Sequence, residues 1–131
     1  MITMVRPELR EIGLGEWQGK TREEVRQEYP LLWERWQREI FWDLPPGGEG
    51  AAAFRLRVAM AVREWMTQYP VGDVLYVTHG GVIQAVLRDV VEGSLTEYFP
   101  FQIDNCSLTV LERTARGLVI TAVNEINGKA V

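Results

Sequence analysis

The chain is poor in the residue types that carry most metal and nucleophile chemistry. Its 131 residues include one histidine, His79, and one cysteine, Cys106. A lone thiol excludes an internal disulfide framework, and with a lone imidazole it cannot by itself complete a four-ligand zinc site. Cys106 therefore reads as a small, half-buried core residue. Cationic stripes are absent too: the net charge is −4, with Lys and Arg scattered among Asp and Glu, which argues against nucleic-acid binding. The opening MITMVRPELRE lacks the apolar region of a signal peptide, and no run reaches the roughly 20 apolar residues of a membrane span. The expectation is a cytoplasmic protein with neither membrane nor nucleic acid as partner.

What remains is 47% hydrophobic and 24% charged, the balance of a globular protein that buries a core. The length suits one small domain, or part of a larger one, over residues 1–131. Residues 1–5 read as a short strand ended by Pro7. In LREIGLGEWQGK the three glycines mark an irregular loop. Thr21 and Glu24 form a T-x-x-E capping box, predicting a helix from about Arg22 that stops before Pro30. Pro30 suits the first turn of a second helix, LLWERWQREIFW, with Leu32, Trp33, Trp36 and Ile40 at helical spacing. DLPPGGEG is a turn.

From Gly50 to Gln68 the period is helical again, with Phe54, Val58, Ala61, Val62, Trp65 and Met66 on one face. VLYVT is a short continuous apolar run, as in a strand buried on both faces. VIQAVLRDVVEG is a helix, and SLTVLER and LVITAVNE are strands joined by a TARG hairpin. The fold class is therefore α/β, with a mixed, mostly parallel sheet flanked by helices.

His79 ends the VLYVT strand, where ligands bind in open α/β sheets. Gly80 and Gly81 let a ligand approach the backbone, and the helix that follows offers free N–H groups and a positive dipole end. Thr78, His79 and these amides form a candidate grip for a phosphate or carboxylate. A dipole end disfavours a charged imidazole and a bound dianion favours it, so His79 is expected to gain its proton with the anion. The bare pattern also admits a plain reading, a loop histidine followed by a tight turn. Glu11 lies in the glycine-rich loop among apolar neighbours. A carboxyl partly withdrawn from water holds a proton more readily, so Glu11 is a candidate general acid; its plain reading is a solvated surface charge.

Three stretches in order, LREIGLGEWQG, PPGGEGAAAFRLRV and VLYVTHGGVIQAVL, resemble the histidine phosphatase superfamily, the phosphoglycerate-mutase-like proteins. The likeness runs from about Pro7 to about Leu111. Leu9, Glu11, Gly15, Trp17 and Gly19 match the family's first pattern, with Gln18 in place of the usual acid. Pro46, Gly47, Gly48 and Glu49 match the second, with Gly50 in place of serine, and Thr78, His79, Gly80 and Gly81 match the third throughout. The resemblance implies a phosphoglycerate-mutase-like fold and a phosphoryl-transfer site. Glu11 would protonate the leaving oxygen and then activate water, and His79 would stabilise charge on the phosphoryl group. It implies no metal or organic cofactor. The substrate would be a small phosphorylated compound or inorganic phosphate, and a phosphatase is favoured over a mutase.

The family's nucleophile is a further histidine in an R-H-G motif, and this sequence has neither that motif nor a second histidine. The expectation is that the chain corresponds to the rear two-thirds of a family member, truncated on its amino-terminal side, with little or no activity when isolated. VLYVT would then expose an apolar edge, covered by a second copy of the chain, by a complementing chain or by a rearranged sheet. Two classes stay open: a phosphomonoester hydrolase, whole or as half of a split enzyme, and a non-catalytic phosphate-binding or interaction module. Asn105, just before a strand, is a candidate for ordering the His79 loop and contacting substrate. Trp33 and Trp36 read as packing before they read as a lid, Arg55 and Arg57 as solvated charges, Glu49 as a helix-start charge and Gln18 as surface.

Overall fold

A computed structural model describes residues 3–39, 42–91 and 101–126. Its first helix, α1 (Arg22–Glu28), begins where the sequence places it. The Thr21 hydroxyl accepts from the Glu24 amide, and the Glu24 carboxylate accepts in return from the Thr21 amide. Both otherwise orphaned donors are thus satisfied. Pro30 opens α2 (Pro30–Glu39), where the missing N–H costs nothing. The expected continuation through Ile40 and Phe41 lies outside the described residues, and Trp42 already stands in a turn. Helix α3 (Ala51–Gln68) has no capping side chain of its own at Gly50. Asp43 takes that role from a distance, its Oδ1 accepting from the Ala51 amide at 2.9 Å.

Helix α4 (Gly80–Val90) starts directly after His79, two residues earlier than the apolar pattern suggests. It crosses α3, and the core forms between them: Phe54, Val58 and Ala61 from α3, Val82 and Ala85 from α4, and Leu9 and Ile12 from the loop beneath. That loop is therefore anchored by apolar burial, which matters for what it carries. The tryptophans form a separate cluster. Trp33 stacks on Trp36 at 5.4 Å, Trp17 meets both, and Trp42 meets Trp36 edge-on at 6.0 Å. This is packing geometry, as helical spacing suggested.

Strands β1 (Leu108–Thr114) and β2 (Gly117–Glu125) pair antiparallel, with Leu111 opposite Ile120 and Thr114 opposite Gly117 at the hairpin end. Among the described residues this is the only sheet. The expected mixed, mostly parallel sheet is not formed there. Residues 3–6 are not a strand, and 73–79 join no ladder. The reason is physical: a strand is defined by its neighbour, and no described chain lies alongside VLYVT to bond with it. Its side chains are correspondingly open, with Leu75 71% and Val77 92% exposed.

Core and surface positions should separate sharply on truncation. Leu87 is fully buried, so Leu87→Ala should cost about 2–5 kcal/mol in urea denaturation. Leu56 is 61% exposed, and Leu56→Ala should stay within about 0.5 kcal/mol. Equal losses at both positions would contradict the placement of the core.

Candidate active site

The Glu11 loop is built by contacts with the second glycine-rich stretch. The Glu49 amide donates to the Gly13 carbonyl at 2.8 Å, and the Glu16 amide to the Pro46 carbonyl at 2.9 Å. Gly15 sits at φ +53°, and a Cβ there would lie 2.2 Å from the Pro46 carbonyl oxygen, so no larger residue permits this approach. The two motifs are two faces of one packed turn.

Arg57 ties the arrangement together, although its sequence context reads only as a solvated charge. Its Nε and Nη2 donate to the two Glu49 carboxylate oxygens at 2.7 and 2.9 Å, a bidentate pair. Its remaining donors reach the carbonyls of Glu8, Arg10 at 3.1 Å and Glu11 at 3.5 Å. Glu49 also accepts from the Gly13 amide at 3.1 Å. Glu49 is thus no simple helix-start charge. The Arg57 hydrogen bond holds its carboxyl below the usual 4.5, helped by the Gly13 amide and opposed by partial burial. No local pattern announces this pair, because Glu49 precedes the helix that carries Arg57 and the carbonyls lie over forty positions away.

The Glu11 carboxylate crosses to the start of α4. Its Oε2 accepts from the Gly81 amide at 3.1 Å and its Oε1 from the Ile12 amide at 3.0 Å. A Cβ on Gly81 would meet Glu11 Oε1 at 2.2 Å, so glycine is what admits the carboxylate. A carboxylate at a helix N-terminus is favoured by the free amides and the dipole. Next to it the Thr78 hydroxyl donates to the Leu9 carbonyl at 2.7 Å, joining the His79 segment to the Glu11 loop. His79 itself is the extended N-cap residue of α4, and it is exposed.

Glu11, Thr78, His79, Gly80 and Asn105 line one concavity of about 290 Å³, together with Ile83 and the neighbours of Asn105 in residues 103–107. Gly81 is not part of its wall; the amide expected to face a ligand is directed to Glu11 instead. Asn105 is exposed, and it shares the wall with Asp104, which reasoning from sequence had not singled out. Asp104 is itself held by Asn124, whose Oδ1 accepts from the Asp104 amide at 2.7 Å. Cys106 also belongs to this wall: it is exposed at φ +62° rather than half-buried in a core, because the loop turns it outward before β1 begins. Among the described residues of the wall there is no lysine or arginine, and two side chains are acidic.

Two measurements test this geometry. Gly81→Ala must displace the Glu11 carboxylate, so the gain of about 1 kcal/mol that alanine has over glycine in a helix should appear in full only in a Glu11→Ala background and be reduced or reversed in the parent. Additive effects would mean the two residues do not touch. Glu49 contributes stability that is complete above 4.5 and lost as pH falls through its lowered folded-state value. Acid denaturation of Glu49→Gln should therefore show a shallower decline below 4.5 than the parent chain.

Comparison with known proteins agrees with this architecture. A family model described as histidine phosphatase superfamily (branch 1) matches residues 3–126. Phosphoserine phosphatase 1 of Hydrogenobacter thermophilus is 30% identical over 114 residues, covering 87% of this chain and 54% of that protein. Adenosylcobalamin/alpha-ribazole phosphatase of Escherichia coli is 21% identical over 118 residues, covering 90% of this chain and 58% of that protein. The chain thus spans little more than half the length of these curated relatives. Among solved structures, Bacillus stearothermophilus YhfR superposes with a TM-score of 0.82 at 26% identity, covering 93% of this chain and 61% of that one. A chain titled as a putative alpha-ribazole-5'-P phosphatase from Escherichia coli gives 0.76 at 22%, covering 92% and 59%. With the three glycine-rich motifs in order and a phosphoglycerate-mutase-like backbone, the chain belongs to the histidine phosphatase superfamily.

Proposed function

We propose that this chain supplies the acid and the phosphoryl-binding histidine of a phosphomonoester hydrolase, a phosphatase rather than a mutase, within one partial domain over residues 1–131. The observation that carries the reading is that Glu11 and His79 border the same small concavity, with Thr78, Gly80 and Asn105 between and around them. In the proposed reaction a nucleophile attacks phosphorus and the bond to the ester oxygen breaks. Glu11 gives that oxygen its proton, then takes one from the water that releases the phosphoryl group. His79 donates to the non-bridging oxygens as charge spreads over them. The alcohol leaves first and phosphate second.

The nucleophile is proposed to come from outside these 131 residues. His79 is the single histidine, and it cannot both attack phosphorus and stabilise the group in flight. Charge supports the same division. A phosphate dianion entering a wall with Glu11 and Asp104 and no lysine or arginine among its described residues needs cations from elsewhere. Space supports it as well. A groove of about 680 Å³ runs between residues 70–76 and β1, floored by Val82, Val86 and Leu87, and it meets the concavity at Thr78, Ile83 and Ser107. One extended, apolar segment from outside these 131 residues, whether in the same polypeptide or in a complementing chain, would pair with VLYVT, complete a mixed and mostly parallel sheet, and bring its end to His79. A second copy of this chain is the less suitable occupant, since it adds no histidine beyond its own His79. The single histidine also favours a second reading, a non-catalytic phosphate-binding module, which differs in never gaining turnover from a complementing chain.

The test is turnover and binding in the full chain. With p-nitrophenyl phosphate the isolated protein should show no turnover above background, and removing a nucleophile can cost on the order of a million-fold. Inorganic phosphate or vanadate should move the Thr78, His79 and Gly80 amide resonances saturably, and His79→Ala should abolish that response. Ordinary turnover that His79→Ala removes would contradict an external nucleophile. Amides that ignore both anions would contradict the phosphoryl site.

A further inference from the structure

The loop that holds Glu11 has an unusual support. Three successive parts of it, the carbonyls of Glu8, Arg10 and Glu11, turn toward a single guanidinium. The same guanidinium is fixed from its other side by both oxygens of Glu49, and Glu49 returns to the loop through the Gly13 amide. The ion pair is largely enclosed, with 15% of the Arg57 side chain and 17% of the Glu49 side chain exposed. Chain up to and including Glu11 is therefore tethered to one rigid planar fork on α3, and chain after it to Glu49 through Gly13, while the Glu11 carboxylate reaches across to α4.

We infer that Arg57, locked by Glu49, is the positioning residue that sets the Glu11 carboxylate against the Gly81 amide. The inference rests on the proposed role of Glu11 for its functional meaning, but its geometry stands apart from that role. Arg57 does not itself line the concavity, so it acts on substrate only through the loop. Lysine cannot take its place, because a point-charge ammonium with three donors cannot hold both carboxylate oxygens and the carbonyls in one plane. A displacement of the loop by a fraction of an ångström would leave the core intact, since Leu9 and Ile12 remain buried, yet would lengthen the Glu11–Gly81 hydrogen bond into the range where it weakens steeply. Proton transfer from a carboxyl needs that tolerance.

The Gly81 amide proton is the natural reporter. In the full, isotope-labelled chain Glu11→Gln should shift it, and the size of that shift is the amplitude read in each background. In Arg57→Lys the amplitude should fall at least about threefold while the methyl resonances of Val58 and Val82 stay in place, reporting an intact core. Glu49→Gln, which leaves the arginine and its carbonyl contacts, should show a smaller loss in the same direction, and it decides the question if Arg57→Lys does not fold. Parental amplitude in the folded variants would overturn the inference. Inorganic phosphate leaving the wild-type Thr78 to Gly80 amides unmoved would instead sink the proposed phosphoryl site, and the Gly81 amplitudes would still judge Arg57.

Discussion

A carboxylate from a glycine-rich loop rests on the first turn of a helix far along the chain: Glu11 accepts from the Gly81 amide, seventy positions downstream. Much of the local structure is arranged so that this contact can exist. Gly81 must lack a side chain, Thr78 must bind the Leu9 carbonyl, and Leu9 and Ile12 must be buried beneath α3 and α4. The contact also has direction. A helix start favours negative charge through its unpaired amides, so the carboxylate is stabilised where it sits, beside the mouth of the concavity that His79 borders.

The same economy of donors shapes the chemistry. One Gly81 amide is committed to Glu11 and the Thr78 hydroxyl to a carbonyl, so the protein's own groups complete their hydrogen bonds before any ligand arrives. What faces the concavity is an exposed imidazole, a half-buried carboxylate, and loop residues from Ile103 to Ser107. That set can move a proton and donate to an oxyanion. Among the described residues it is short of positive charge, and the proposal of a segment from outside these 131 residues is an electrostatic argument as much as a topological one.

Features governed by neighbours in sequence were legible before any coordinates. The Thr21–Glu24 box, Pro30 at the start of α2, the apolar face of α3 and the β1–β2 hairpin depend on spacing and on local hydrogen bonds. VLYVT was legible as an apolar run, and the resemblance implied that its edge would lack a partner; that no other described segment takes that place required the folded chain. Arg57 was misread for a related reason: its partners are carbonyls, which every residue possesses and no side-chain pattern announces. Cys106 was taken for core on composition, yet a left-handed backbone angle turns it to solvent. Of the candidate site, the residue types and their order were visible, whereas Asp104 and the diversion of the Gly81 amide to Glu11 required the folded chain.

The central claim is that Glu11 and His79 address one oxyanion. A crystal structure of the full chain soaked in vanadate tests it most directly. The account predicts vanadate inside the concavity, with the His79 imidazole and the Glu11 carboxyl both within hydrogen-bond reach of its oxygens. Vanadate bound elsewhere, or held by His79 with Glu11 turned away toward solvent, would contradict it.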